Sequence, residues 1–126
     1  MGSPSSVESV MRSPAVTVSF SETVASVAQK MLAANIGAVI VTSGSVPTGI
    51  VTERDILRSV FKDRRDPDRT LAQAVMSSPL VTVEPDESVL DALQLMENMS
   101  VRRLAVVRDG KLLGIVTERR LLASLI

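Results

Sequence analysis

An internal repeat constrains the fold of this chain more than any other feature of its sequence. When the sequence is shifted by 65 residues, Val10 to Val60 aligns with Val75 to Leu125 without a gap, and 20 of the 51 aligned positions are identical. Self-similarity at a fixed offset indicates one supersecondary unit that is present more than once. The sequence therefore predicts two copies of the same small structural unit.

The stretch between the copies differs from them in composition. It is polar, mixed in charge and interrupted by Pro67, which is typical of a solvated connection. We therefore place repeat 1 at residues 7–61, the linker at residues 62–74 and repeat 2 at residues 75–126.

Each copy shows the same order of predicted elements. In repeat 1, a short strand at Val16 to Val18 precedes a helix whose apolar residues recur at spacings of three and four. The residues expected on the buried face of that helix are Val24, Val27, Ala28, Met31 and Leu32. The unit continues with a strand from Ala38 to Thr42, a strand from Thr48 to Val51 and a helix from Glu53 to about Phe61.

Repeat 2 follows the same plan. Its helical face comprises Val89, Ala92, Leu93 and Met96, and Asp109-Gly110 occupies the position of a tight hairpin turn. The fold class is therefore α/β (α+β), with two β-α-β-β-α repeats. A unit of about fifty residues cannot bury its own helices and sheet, so we expect the repeats to pack about a pseudo-twofold axis. The cleft between them is the expected ligand site.

The composition removes several classes of function. The chain has no His and no Cys, hence no imidazole base, no thiolate nucleophile and no Cys/His metal site. Fourteen basic and fourteen acidic side chains cancel, and the only aromatic residues are two phenylalanines, so no nucleic-acid surface is expected. No apolar run can span a membrane, and residues 1–6 do not resemble a signal peptide, so we expect a cytoplasmic protein.

A cluster of acidic residues precedes the first helix of repeat 2. Glu84, Asp86 and Glu87 could attract a cation, but a helix start explains them equally, with Asp86 as the N-cap and Glu87 in the first turn. We therefore expect no metal site.

Two signatures in the repeats resemble the CBS (cystathionine-β-synthase-type) domain family. The opening signature is Val-Met-x-x-Pro-x-Val-Thr-Val at Val10 to Val18, and the closing signature is Gly-Ile-Val-Thr-x-x-Asp at Gly49 to Asp55. Tandem pairs of such domains form Bateman modules, and the resemblance covers nearly all of Val10 to Ile126. It implies a non-enzymatic regulatory module that binds AMP, ADP, ATP or S-adenosylmethionine between its repeats. It also implies dimerisation, and in larger proteins control of an attached enzyme, channel or transporter. Because none is attached in this sequence, we expect the controlled protein to be a separate chain.

The end of the closing signature supports two interpretations. The Thr52 hydroxyl can donate to a phosphate or ribose oxygen, and the Asp55 carboxylate can accept from both ribose hydroxyls. The same residues fit a helix start, with Thr52 as the N-cap and Asp55 accepting a backbone N–H in return. The two roles do not exclude each other, because a capping threonine can exchange its partner for a ligand.

The two repeats differ at the position of Asp55, which is Arg120 in repeat 2. A guanidinium group cannot accept a hydrogen bond from a hydroxyl. We therefore expect one nucleotide per chain, at Thr52 and Asp55. Arg120 is then either a surface residue or a phosphate contact that lets a second site, near Thr117, take a different ligand.

The resemblance implies the remaining site residues. The adenine cradle would comprise Pro14, Ala15, Thr17, Ile36, Gly37 and Ala38. Periodicity alone assigns Ile36 to the core. Arg102, Arg103 and Arg119 would contact phosphate, since the planar guanidinium group binds phosphate oxygens in pairs. The other interpretation of these arginines is a charged edge in water.

The last helix of each repeat has an apolar face. These faces comprise Ile56, Leu57, Val60 and Phe61 in repeat 1, and Leu121, Leu122, Leu125 and Ile126 in repeat 2. We expect them to form a homodimer interface, unless both faces are buried within the chain.

Overall fold

The computed structural model describes residues 6–126, so most of the segment on which the signal-peptide prediction rests lies outside the described residues. Its elements are α1 (Val7–Val10), β1 (Thr17–Ser19), α2 (Val24–Ala34), β2 (Ala38–Ser43), β3 (Val46–Thr52), α3 (Glu53–Leu57), a π-helical turn (Arg58–Lys62), α4 (Ala72–Val75), β4 (Thr82–Val83), α5 (Val89–Met99), β5 (Arg103–Arg108), β6 (Lys111–Thr117) and α6 (Glu118–Ala123). None of these helices has the length and hydropathy needed to cross a membrane.

Each repeat contributes one three-stranded sheet. β1 runs parallel to β2 and β2 antiparallel to β3, and the strands β4, β5 and β6 are arranged in the same way. The predicted mixed fold with two β-α-β-β-α repeats is confirmed. The predicted hairpin turn is confirmed as well, because Asp109 and Gly110 both have positive φ, 53° and 78°, as the tightest hairpin turns require.

The compact units of the chain do not coincide with its sequence repeats. One unit is Val16–Leu80, here called the β1–β3 unit. The other, the β4–β6 unit, combines Val81–Ile126 with the described part of the chain up to Ala15. The opening segments are residues 7–15 of repeat 1 and residues 75–80 of repeat 2. Each belongs to the unit that contains the sheet of the other repeat, so we call them the exchanged segments.

Backbone hydrogen bonds hold these exchanged segments in place. In the β4–β6 unit, the Arg12 N–H donates to the Ile115 carbonyl at 2.8 Å, and the Ile115 N–H donates back at 3.0 Å. In the β1–β3 unit, Ser77 and Ile50 form the same reciprocal pair at 2.9 and 3.1 Å. Each opening segment thus adds a short stretch of pairing to the last strand of a sheet.

The glycine of the closing signature permits this pairing. A Cβ added to Gly49 would lie 2.7 Å from Met76 Sδ and 2.8 Å from the Ser77 carbonyl oxygen, and one on Gly114 would lie 2.9 Å from Met11 Sδ. The opening signature of one repeat therefore packs against the closing signature of the other, and only a residue without a side chain fits at the contact.

Each unit has its own aliphatic core. The core of the β1–β3 unit comprises Val18, Val27, Met31, Val39, Val41, Val51 and Ala72. The core of the β4–β6 unit comprises Val7, Val83, Val89, Ala92, Met96, Leu104, Val106, Val116 and Leu121. Val7 comes from the start of repeat 1 and Ala72 from the predicted linker, and both are fully buried, so each core is completed by a segment from outside the repeat that forms its sheet.

The predicted buried face of α2 is wrong at one residue. Val24, Val27 and Met31 are buried as expected, but the Leu32 side chain is 82% exposed. Leu32 is displaced around the helix from Met31 and lies at the edge of a surface groove that includes residues of α3. Its counterpart in repeat 2 is Glu97, which is exposed as well.

The start of α5 corrects a second prediction. The N-cap is Ser88, whose hydroxyl oxygen accepts from the Asp91 N–H at 3.0 Å, and not Asp86. Thr23 caps α2 in the same way at the matching position of repeat 1. Asp86 instead accepts from the Arg108 guanidinium group at 2.9 Å.

Hydrogen bonds to the Glu22 carboxylate link β1 to the first turns of α2. Its carboxylate accepts from the Ser19 N–H at 2.8 Å, from the Ser26 hydroxyl at 2.8 Å and from Lys30 Nζ at 3.0 Å. Burial by itself raises the pKa of Glu22, but these three contacts outweigh it and hold the pKa below its ordinary value.

The predicted helix from Glu53 to about Phe61 ends in a π-helical turn that periodicity did not indicate. Within this turn the Ser59 hydroxyl is buried and has no hydrogen-bond partner among residues 6–126. Ser124, at the matching position of repeat 2, donates to the Leu121 carbonyl at 2.7 Å. The two repeats therefore finish their last helices differently.

Candidate ligand-binding site at the strand–helix junctions

The junction of β3 and α3 holds Thr52 and Asp55 in a reciprocal capping box. Thr52 Oγ1 accepts from the Asp55 N–H at 3.2 Å. Asp55 Oδ2 accepts from the Thr52 N–H at 2.8 Å and from the Thr52 hydroxyl at 3.0 Å. The predicted helix cap is thereby confirmed, and it fixes the orientation of the carboxylate.

The capping contacts leave part of the Asp55 carboxylate available. Both hydrogen bonds from Thr52 end on Oδ2, and Oδ1 has no partner among residues 6–126. An ionised carboxylate offers about four lone-pair sites. The half-buried Asp55 therefore presents a fixed hydrogen-bond acceptor with free capacity beside the end of β3.

Small residues lie next to this carboxylate. Ala38 pairs directly with Thr52 across β2 and β3, and the Gly37 carbonyl accepts from the Glu53 N–H at 3.0 Å. Ala38 is buried and Gly37 is half-buried. With almost no side chain at these two positions, a flat ligand can approach the backbone closely.

The other predicted residues of the β1–β3 unit lie at the same end of its sheet. Ile36 precedes Gly37, packs partly against the core and donates its N–H to the Met31 carbonyl at 3.0 Å. Thr17 is the exposed first residue of β1, in register with Ile40 of β2. The structure thus gathers six predicted positions within this unit: Thr17, Ile36, Gly37, Ala38, Thr52 and Asp55.

The matching junction of β6 and α6 has only half of the capping box. Thr117 Oγ1 accepts from the Arg120 N–H at 3.2 Å. The exposed Arg120 side chain returns nothing to the threonine, and its Nε donates to the Val10 carbonyl at 2.7 Å. Arg120 thus holds the end of α1, and this junction offers no carboxylate in the place that Asp55 has in repeat 1.

The other five predicted site residues belong to the β4–β6 unit. Arg103 begins β5 in register with Thr117, and the Arg102 carbonyl accepts from the Glu118 N–H at 2.9 Å. Arg119 follows in α6. Arg102 and Arg119 are exposed, and Arg103 is half-buried. Pro14 is exposed and Ala15 is half-buried, in the segment that leads out of this unit.

These three arginines have no acidic partner within their part of the structure. The salt bridges found among residues 6–126 join other side chains, so no carboxylate oxygen lies within 4.0 Å of Arg102, Arg103 or Arg119. In the same range, no group of three or more acidic side chains has the geometry to hold a metal ion.

Both repeats match the sequence profile of one known domain family. The sequence profile of the CBS domain matches residues 7–62 and residues 72–126. The chain belongs to the CBS domain family. It carries two CBS domains in tandem, as the resemblance of the two signatures predicted, and CBS-domain pairs are regulatory modules.

Individual relatives and solved structures support the same family assignment. A protein of Methanopyrus kandleri is 43% identical over 93% of this chain, which spans 61% of that protein's length. The CBS domain-containing protein YhcV of Bacillus subtilis is 38% identical over 89% of this chain and 79% of its own. The structure of a protein with CBS domains from Burkholderia ambifaria matches with a TM-score of 0.88 and 30% identity, over 97% of this chain and 94% of that one.

Proposed function

We propose that this CBS-domain pair is a non-enzymatic sensor in the cytoplasm that binds one adenosine nucleotide, AMP, ADP or ATP, and controls a partner protein. The observation that carries the proposal is the Asp55 carboxylate. Thr52 fixes it through one oxygen, while the other oxygen has no hydrogen bond within the described residues.

A ribose diol suits this carboxylate. Two neighbouring hydroxyls each need an acceptor, and a carboxylate can accept from both at once. Hydrogen bonds to a charged group contribute about 1.5–3 kcal/mol each, so the pair supplies a large share of a micromolar affinity. Because Thr52 already orients Asp55, little entropy is lost when the diol binds.

The adenine and the phosphates have separate candidates. The proposal places the base against the backbone at Gly37 and Ala38, where side chains are smallest. Arg102 and Arg103 are proposed to contribute to binding of the phosphates, because they have no carboxylate partner among residues 6–126. This favours a nucleotide over S-adenosylmethionine, which carries a positive sulfonium centre and no phosphate.

A second candidate function is an interaction module whose ligand site stays empty. A groove of about 270 Å³ on the β1–β3 unit is lined almost entirely by apolar residues of α2, α3 and the π-helical turn. At its edge, Leu57 is 58% and Phe61 is 74% exposed. Exposed apolar surface of this kind supports the predicted homodimer, and light scattering of wild type against Phe61→Ser tests it.

Thermal unfolding with and without ligand separates the two functions. A ligand at a hundred times its dissociation constant adds about 2.7 kcal/mol of stability, which is about 8–16 °C for a chain of this size. We expect AMP, ADP or ATP to raise the Tm of wild type, and to raise that of Asp55→Ala far less. A screen in which none of these nucleotides raises the wild-type Tm would favour the interaction module.

A matched control is needed because Asp55→Ala also weakens a helix cap. Ser88→Ala removes the cap of α5 at a cost of about 1 kcal/mol and leaves Thr52 and Asp55 intact. Ser88→Ala should therefore lower the Tm without ligand but keep the full nucleotide-induced increase. If Ser88→Ala lost the increase as well, the effect of Asp55→Ala would reflect stability alone.

A further inference from the structure

The β4–β6 unit contains a cavity of about 620 Å³, here called the acidic cavity, that lies outside the candidate ligand site. It is lined by residues of β4, α5, the end of β5 and the turn that joins β5 to β6. None of these lining residues is basic, and its carboxylates belong to Glu84, Glu87, Asp91 and Asp109. The volume is within the range of about 300–1,000 Å³ that is usual for small-molecule sites.

Repeat 1 shows which kind of group binds the carboxylate at the centre of this arrangement. Glu87 matches Glu22 at the offset of 65 residues. In repeat 1, Lys30 Nζ donates to the Glu22 carboxylate at 3.0 Å, so the chain itself supplies an ammonium group. The position of Lys30 is Leu95 in repeat 2, and Leu95 lines the acidic cavity. Repeat 2 therefore keeps the carboxylate and lacks its ammonium partner.

The other carboxylates of the acidic cavity take the places of uncharged residues of repeat 1. The changes from repeat 1 to repeat 2 are Ser19 to Glu84, Ser26 to Asp91 and Gly44 to Asp109. The lining positions therefore sum to a formal charge of −4, whereas the matching positions of repeat 1 sum to zero because Glu22 and Lys30 cancel. The whole chain has no net charge, so this excess is local.

The protein neutralises only one side of the acidic cavity. Arg108 lies 3.6 Å from Glu84 and also pairs with Asp86, which is not a lining residue, at 2.9 Å. Among residues 6–126, no basic side chain lies within 4.0 Å of the other three lining carboxylates. Glu87 is half-buried, so its charge is less well solvated than that of a surface carboxylate. A cationic ligand at this point would restore the pairing that repeat 1 has.

The shape and lining of the acidic cavity indicate which cation it fits. In the described part of the chain, no group of three or more acidic side chains has the geometry to hold a metal ion. Apolar side chains of Val83, Leu95 and Val107 line the same cavity as the carboxylates. A chain of methylene groups with several ammonium groups matches both features, since its methylenes contact the apolar lining and its ammonium groups donate to the carboxylates.

We propose that the acidic cavity binds an aliphatic polyamine, with one ammonium group at Glu87 in the place that Lys30 Nζ has beside Glu22. The cavity shares no residue with the predicted nucleotide site, so this proposal does not rest on the proposed function. Its test contains no nucleotide, and its failure would leave the nucleotide proposal as it stands.

Calorimetric titration with spermidine, a linear polyamine, tests the proposal at fixed ionic strength and without divalent cations. Wild type should bind spermidine at one site per chain. Glu87→Gln and Asp91→Asn should each weaken binding at least about tenfold, because each loses a hydrogen bond between charged groups. Butylamine, which has a single ammonium group, should bind wild type at least about tenfold more weakly than spermidine. Absence of spermidine binding to wild type at millimolar concentration would overturn the proposal.

Leu95→Lys tests the comparison with repeat 1 directly. This substitution gives repeat 2 the lysine that repeat 1 has at position 30, so the new ammonium group should pair with Glu87 and prevent spermidine binding. Unchanged spermidine affinity in a folded Leu95→Lys variant would refute the placement of the ligand at Glu87. Leu95 packs partly against the core of its unit, so circular dichroism must show that the variant folds. If it does not fold, Glu87→Gln tests the same placement.

Glu97→Gln provides the matched control. Glu97 is an exposed residue of α5 that does not line the acidic cavity, and its replacement removes the same charge as Glu87→Gln. Glu97→Gln should leave spermidine affinity unchanged, whereas an equal loss in both variants would show non-specific attraction and overturn the proposal. Magnesium chloride should bind wild type more weakly than spermidine. Magnesium binding that is as tight, and that Glu87→Gln weakens equally, would identify a metal site and refute a polyamine site.

Discussion

Replacing Gly49 with alanine should destabilise the protein through the contact between the opening and closing signatures. The added methyl carbon would lie 2.7 Å from Met76 Sδ and 2.8 Å from the Ser77 carbonyl oxygen, well inside van der Waals distance. The sulfur can move because the Met76 side chain is flexible. The carbonyl cannot move freely, because Ser77 and Ile50 exchange two backbone hydrogen bonds at 2.9 and 3.1 Å.

The expected magnitude follows from these contacts. Overpacking costs about 1–3 kcal/mol, and each weakened backbone hydrogen bond costs up to about 0.5–1.5 kcal/mol. Alanine also restricts the unfolded chain, which returns about 0.4–1 kcal/mol. A net loss of about 2 kcal/mol remains, equivalent to a fall in Tm of about 6–12 °C for a chain of this size.

A double-mutant cycle measured by urea unfolding tests the origin of that loss. Met76→Ala should relieve part of the overlap, so Gly49→Ala and Met76→Ala together should cost at least about 1 kcal/mol less than their sum. Met11 packs against Gly114 instead, so Gly49→Ala and Met11→Ala should be additive within about 0.5 kcal/mol. Coupling of Gly49 to Met11 in place of Met76 would refute the exchange of opening segments between the repeats.

Two further predictions concern single side chains. Ser59→Ala removes a buried hydroxyl that has no hydrogen-bond partner among residues 6–126, and it should leave the free energy of unfolding unchanged or raise it by up to about 1–3 kcal/mol. Ser124→Ala, at the matching position, removes a hydrogen bond and should lower it by about 0.5–1.5 kcal/mol in the same urea titration. The pKa of Glu22 is lowered in the folded state, so its contribution is present above its ordinary pKa and is lost as the pH falls through the folded value. Urea midpoints at neutral and acidic pH should therefore differ more for wild type than for Glu22→Gln, and an equal pH dependence would exclude this role.

Local signals in the sequence were sufficient to predict the strands and the two long helices α2 and α5, but not the four-residue helices α1 and α4 or the π-helical turn. The spacing of apolar residues predicted α2 and α5, and the Asp109-Gly110 pair predicted a hairpin turn, because each of these signals depends only on neighbouring residues. The capping box at Thr52 and Asp55 was predictable for the same reason. Leu32 was assigned wrongly because periodicity identifies an apolar side chain but not whether another element covers it.

The exchange of opening segments could not be predicted from the repeat itself. The two opening signatures share Val, Met and Pro, and the two closing signatures share Gly, Ile and Val. Pairing within a repeat and pairing between repeats therefore satisfy the same local preferences. The tertiary fold selects one of these two pairings. In the structure Gly49 of repeat 1 contacts Met76 of repeat 2, so the pairing is between repeats.

The candidate site was predictable in its residue types but not in its contacts. The resemblance to CBS domains and the hydrogen-bonding capacity of a carboxylate both pointed to Asp55. The structure adds that Thr52 donates both of its hydrogen bonds to one oxygen of that carboxylate, Oδ2. The bond from Arg120 to the Val10 carbonyl had no sequence signal, because the two residues are 110 positions apart. Contacts of this kind depend on the tertiary fold.

The number of nucleotide sites per chain tests the central claim most directly. Isothermal titration of wild type with ATP or AMP should give one site per chain, and Asp55→Ala should weaken that site at least about a hundredfold, since two charged hydrogen bonds are lost. Two equal sites, or an unchanged affinity in Asp55→Ala, would contradict the assignment of ribose binding to this carboxylate.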